Sequence, residues 1–185
     1  MSSSDAFILQ LVRLFEQPGG GRAELAALRR GATGEARDLA NVYPLVLPHV
    51  PSGRESRQQP YLDVACLFGL HPTKPELFAR GLSLAQAMRA LSGKSQSIEQ
   101  RFVALLQCHR EDLLPHLRHC VSLAKANDLP LRWTDVLLAL RFWESERSGG
   151  EAWARTPQRR WAQEFWGPLA VETSAGAEGT PATSA

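Results

Sequence analysis

The stretch of residues 97–147, SIEQRFVALLQCHREDLLPHLRHCVSLAKANDLPLRWTDVLLALRFWESER, reads as three consecutive amphipathic helices. Ser97 and Gln100 have the spacing of a capping box, in which the hydroxyl accepts from the third helical N–H and the Gln reaches back. Ile98, Phe102, Leu105 and Leu106 then recur at helical spacing. The second helix places Leu113, Leu117, Cys120, Val121 and Ala124 on one stripe. Pro115 fits there because the first turn has no use for its missing N–H. Asn127 and Asp128 are predicted to stop this helix. The third helix starts near Trp133 and carries Val136, Leu137, Leu140 and Trp143 with little polar relief. A helix apolar nearly all round belongs at the centre of a bundle. The outer faces of the first two helices hold Arg101, Arg110, Arg118 and Lys125. The sequence therefore describes an apolar helical core with cations on its outside.

The remainder of the chain repeats this grammar. Ser4 is placed to cap a helix with Phe7, Ile8, Leu11, Leu14 and Phe15 on one face, ended by Pro18 and the glycines that follow. A short helix then buries Leu25 and Leu28 and ends in Arg29 and Arg30, with Gly31 as its stop. Residues 39–47 are apolar around Tyr43 and Pro44, and a Pro-Ser-Gly turn leads to Arg54 and Arg57. Pro60 is predicted to open a helix with Tyr61, Val64, Ala65 and Phe68 inward. Residues 69–80 form a Pro-rich loop. Ser83 and Gln86 make a second capping box before Leu84, Ala87, Met88 and Leu91. Residues 93–95 form a hinge into the central stretch, and 148–150 form a loop. Pro157 starts a last helix with Trp161 and Phe165 one turn apart and Trp166 beside them. The expected class is all-α, in two small packed bundles. They span residues 1–95 and 96–168, with a disordered Ala/Thr/Ser/Gly tail over 169–185.

Net charge is only +2 over 185 residues, so the distribution of charge carries more than its sum. Residues 77–125 hold seven Arg and Lys, including Arg89 and Lys94, against three carboxylates. Arg outnumbers Lys eighteen to three, and its planar fork suits phosphate. Codon bias in a GC-rich genome is the plain explanation, since Ala, Gly and Pro are abundant too. The three Cys fall in apolar helical stretches without paired spacing. With no basic leader at the N-terminus, this points to reduced thiols in a cytoplasmic protein. No run approaches the roughly 18 apolar residues of a membrane span.

No enzyme motif stands out. The Gly19–Gly21 run leads into Arg22 and Ala23 rather than Lys-Ser/Thr, and G-x-S-x-G is missing. Cys108, His109, His116, His119 and Cys120 make zinc conceivable. The two cysteines fit apolar stripes, however, and neither C-x-x-C nor H-E-x-x-H occurs. No cofactor is expected. Cations without interleaved exposed aromatics suit phosphate contact rather than base stacking.

The order of features adds a resemblance. LRRG at 28–31, then Val42-Tyr43-Pro44-Leu45, the 83–91 helix, SIEQRFVALLQCHREDLLPHLRHCV and RWTDVLLALRFWESE together resemble the CasB family. This is the small subunit of the type I-E CRISPR surveillance complex, Cascade. The similarity runs over about residues 5–166. Its most distinctive pieces are the Arg pair before Gly and a W-x-D-x-L-x-x-L-x-x-W pattern at Trp133, Asp135, Leu137, Leu140 and Trp143. The resemblance implies a non-catalytic helical subunit of an antiviral complex. Two copies would lie head to tail, against the repeated backbone subunits and the large subunit. They would stabilise the guide RNA–target DNA duplex and the displaced, non-target DNA strand. Matching basic positions are Arg29, Arg30, Arg54, Arg57, Arg101, Arg110 and Arg118, followed by Arg89 and Lys94; Lys125 joins the expected nucleic-acid-binding set from its place on the outer face of the second helix. The chain departs from the pattern at Gly149 and Gly150 and in its tail, which bears on any role for Arg147, Arg159 and Arg160. Two other readings stand beside it: a helical adaptor that binds only protein, and a zinc-dependent regulator.

Overall fold

A computed structural model of the chain describes residues 3–143 and 156–168. Among these residues ten α-helices are joined by short 3₁₀ turns. In chain order they are α1 (Ser3–Arg13), α2 (Arg22–Gly31), α3 (Ala36–Leu39), α4 (Tyr43–Val46) and α5 (Glu55–Leu70). There follow α6 (Leu84–Ser92), α7 (Gln96–Gln107), α8 (Leu113–Ala126), α9 (Trp133–Phe142) and α10 (Pro157–Trp166). An isolated parallel bridge between Leu82 and Leu131 is the only strand-like pairing among the described residues. The all-α class is thus as expected. The 148–150 loop and the 169–185 tail lie outside the described residues.

Helix α5 is the spine. Every residue from Pro60 to Gly69 is buried, so the second half of the helix has no solvent face and needs neighbours on all sides. Pro60 does not open this helix; α5 begins at Glu55, and Pro60 sits inside it. The cost of the missing N–H falls on the carbonyl of Ser56, one turn back. Ser56 is exposed, so water can take that bond. Phe68 meets Trp133 of α9 edge-on at 5.6 Å, and Tyr61 meets Phe7 of α1 edge-on at 5.0 Å.

Helix α2 packs tightly against the spine, and two glycines permit it. A methyl group on Gly69 would lie 2.5 Å from the backbone N of Arg29 and 2.7 Å from Leu28 Cβ. One on Gly31 would lie 2.6 Å from Val42 Cγ2 and 2.8 Å from Cys66 Sγ. Gly31 is therefore required by packing and not, as expected, by a left-handed helix stop. The stop after α8 does use left-handed backbone, at Asp128 with φ 52°.

The second predicted capping box forms. Ser83 Oγ accepts from Gln86 N at 3.1 Å, and Ser83 N donates to Gln86 Oε1 at 3.0 Å. The first does not. Ser95, in extended backbone two residues earlier, caps α7 by accepting from Ser97 N at 3.2 Å. The hydroxyl nearer the Gly93-Lys94 turn wins, and Ser97 becomes helical. Ser4 is likewise a buried residue of α1 rather than its cap, and its hydroxyl accepts from Arg141 at 3.1 Å.

Helix α9 is buried or half-buried from Trp133 to Leu140, as its apolar pattern predicted, but Arg141 and Phe142 at its end are exposed. Three indoles, Trp133, Trp143 and Trp161, are fully buried, and each N–H has an acceptor. Trp133 donates to Thr73 Oγ1, Trp143 to the Cys108 carbonyl and Trp161 to Asp135 Oδ2, at 3.0, 3.0 and 2.8 Å. Asp135 also pairs with Arg160, so one buried carboxylate fastens α10 to α9. Trp166, read beside these, is instead 47% exposed, with its N–H on Glu99 at 2.9 Å. Apolar residues on both sides of residue 95 fall in one contiguous core.

Gly69→Ala tests the glycine contact between α2 and α5. Its methyl group would meet backbone, not a pliable side-chain end, so stability to urea should fall by about 1–3 kcal/mol. Unchanged stability would mean that the two helices do not approach this closely.

Candidate nucleic-acid interface

The cations divide by what already holds them. Arg29 and Arg30 are exposed in the last turn of α2, a position that also favours the helix dipole. The glycine contact beneath them sets how far this pair stands out from the spine. Arg54 and Arg57 flank the N-terminus of α5 and are exposed. Cations there oppose the dipole, so helix stability does not explain them. Arg101 of α7 and Lys125 of α8 are exposed, and Arg118 of α8 is half-buried. Among the described residues, none of these seven side chains has a hydrogen bond or ion pair to the protein.

Three other expected cations are engaged. Arg89 donates to the carbonyls of Glu164 and Gly167 at 3.1 and 2.7 Å and so ties α6 to the end of α10. Lys94 donates to Asn127 Oδ1 at 2.7 Å. Arg110 stands 3.5 Å from Asp63, a buried carboxylate of α5. Burial pushes the Asp63 pKa up, and the Gln59 amide and Arg110 pull it back. Each of these three cations already has a protein partner and keeps further N–H donors free. Arg160 is held by Asp135, with Glu164 3.8 Å away.

The α8 cations do not form one row with Arg101. At 3.6 residues per turn, the buried stripe from Leu113 to Ala124 separates two flanks. Arg118 and Lys125 lie on one flank, His116 and His119 on the other. Arg101 belongs to the histidine side, because it lines a groove with Ala104, His116 and His119 between α7 and α8. The sequence offers these histidines only as metal ligands or as the flank of a surface helix. That no carboxylate joins them in that groove among the described residues had no sequence signal.

The cysteines are core groups. Burial pushes Cys66 and Cys120 up to about 12, and Cys108 donates to the Leu105 carbonyl at 3.1 Å. A metal needs thiolate, and among the described residues no three potential ligands converge. Nor is any described helix long and apolar enough to cross a membrane. Cys66 and Cys120 should resist a charged thiol reagent at pH 8 in the folded protein and react once urea unfolds it. Their folded pKa is raised above the 9.0 of an open thiol. The unfolded chain alone therefore ionises them as pH passes about 9, and their contribution to stability is lost above that pH. Rapid labelling of both without denaturant would contradict this burial.

The fold and this surface define a class: a small all-helical protein with a continuous core and a set of unengaged arginines on its exterior. The comparisons make this particular. Residues 24–166 match the family model of CRISPR-associated protein Cse2. A CRISPR-associated protein Cse2 from Thermus thermophilus is 32% identical over 175 residues, 93% of this chain and 95% of that protein. The crystal structure of a Cse2-family protein from the same organism superposes with a TM-score of 0.75 at 29% identity, covering 91% of this chain and all of that one. A chain of a solved CRISPR RNA-guided surveillance complex shares the fold, with a TM-score of 0.66 at 20% identity, covering 88% and 91% of the two chains. The chain belongs to the Cse2 family, also called CasB.

Proposed function

We propose that this protein is the non-catalytic small subunit of a type I-E Cascade complex, and that it binds nucleic-acid backbone through its unengaged arginines. Seven exposed or half-buried cations that have no protein partner among the described residues are the observation that carries the reading. Family membership and the fold shared with a surveillance-complex chain support it. The partners would be guide RNA, both DNA strands, the backbone and large subunits, and a second copy of this chain. R-loop formation is nearly balanced, because the RNA–DNA duplex is about as stable as the DNA duplex it replaces. A few sequence-blind phosphate contacts are enough to tip it. Base pairing reads the sequence, so the protein needs no base-stacking aromatics.

The adaptor reading has one observation in its favour. Tyr43 and Leu47 are 41% and 39% exposed beside Pro44 and Pro48, an apolar spot suited to another protein. Pure adaptor function would leave the cations without a task.

The double reversal Arg101→Glu/Arg118→Glu separates these readings. Binding of DNA and RNA by the isolated protein should weaken alike for every sequence. The salt slope should shrink by roughly 0.7–0.9 per lost contact, and the R-loop of the assembled complex should be shorter-lived. Glu111→Lys should not weaken binding. Circular dichroism should stay helical, because neither arginine is in the core. Unchanged binding and R-loop lifetime in a folded double variant would leave the adaptor reading standing.

A further inference from the structure

His116 and His119 are the chemical groups that neither the fold nor the phosphate reading has used. They stand one turn apart on α8, so they share a face. Across from them is Arg101 of α7, and the three line a groove of about 280 Å³ with Ala104. Among the described residues its lining contains no carboxylate. Among the described residues, no hydrogen bond or ion pair occupies Arg101, His116 or His119. The arginine also lies near enough to α8 to favour the ionised form of the Cys120 thiol. Ala104 leaves the groove without a bulky side chain between the two helices.

We infer that Arg101, His116 and His119 form a seat for a single backbone phosphate of nucleic acid. This rests on the nucleic-acid reading above. Among the described residues the lining offers N–H donors and no carboxylate, which suits an anion rather than an apolar cofactor. Arg supplies a planar fork that meets two phosphate oxygens at once. Each imidazole can add one directed N–H. Arg118 and Lys125 lie on the other flank of α8, outside this groove. Helix α8 thus offers two unlike contacts: a shaped seat on its α7 side and a diffuse cationic row on the other.

The test uses the full chain. His116→Ala and His119→Ala should each weaken binding of a short single-stranded DNA by about 3- to 10-fold, the worth of one hydrogen bond. Each should be non-additive with Arg101→Gln, because the groups share one phosphate, and additive with Lys125→Gln. His119 is exposed, so its variant stays informative if His116→Ala fails to fold. The ring C–H resonances of both histidines should shift with the oligonucleotide and not with equimolar inorganic phosphate. A response to inorganic phosphate alone would mean a free-anion site and overturn the assignment to nucleic acid. Unchanged affinity in both histidine variants, with binding still lost on Arg118→Glu, would overturn the seat and leave the nucleic-acid reading intact. Unchanged affinity in all of them would overturn both.

Discussion

A helix without a solvent face is the constraint on which this structure depends. From Pro60 to Gly69 every side chain of α5 is buried, so no neighbour can be removed without exposing apolar surface or leaving a void. The neighbours reach it by different means. Helix α2 comes in over glycine, and α1 and α9 come in edge-on through aromatic rings. One charged group, Asp63, lies inside this segment. It is tolerated because Gln59 donates to it at 2.8 Å and Arg110 stands beside it. That tolerance engages Arg110, which stays partly exposed, so the requirements of the core already shape the set of free cations.

The second half of the fold is held by directed polar bonds as well as by burial. A buried indole N–H without an acceptor is costly, and each of the three buried tryptophans is given one. Asp135 serves Trp161 and Arg160 together, and Ser83 and Arg89 of the α6 region bind the far end of α10. Helix α10 is thereby fixed against two helices from different parts of the chain. The stacking of Phe165 on Phe102 at 4.4 Å adds a contact to α7.

What the core does not use stays on the surface, and for this family the surface carries the interest. The free cations that the family pattern singles out lie in three parts of the chain, the end of α2, the start of α5 and the α7–α8 pair, and others such as Arg13, Arg37 and Arg80 are as exposed. A phosphate backbone is long and repetitive, so dispersed contacts suit it better than one deep pocket. The arginines at the start of α5 are the most telling, because they oppose the helix dipole and have no structural reason to be there.

Periodicity alone determined the all-helical class, the burial of α9 as far as Leu140 and the apolar stripes of α7 and α8. Those depend on residues three and four apart, which sequence records directly. The Ser83–Gln86 box was legible for the same reason. The rest depended on groups far apart in the chain. Gly31 reads as a helix stop until Val42 and Cys66 are seen against it. Pro60 reads as a helix start until the helix is found to begin at Glu55. Arg89, Lys94 and Arg110 read as surface cations like Arg101, and only tertiary structure shows their partners. The groove that joins Arg101 to His116 and His119 is also tertiary, because it exists only where α7 packs on α8. Local spacing determines which side chains point away from the core, but only packing decides which of them remain unpaired.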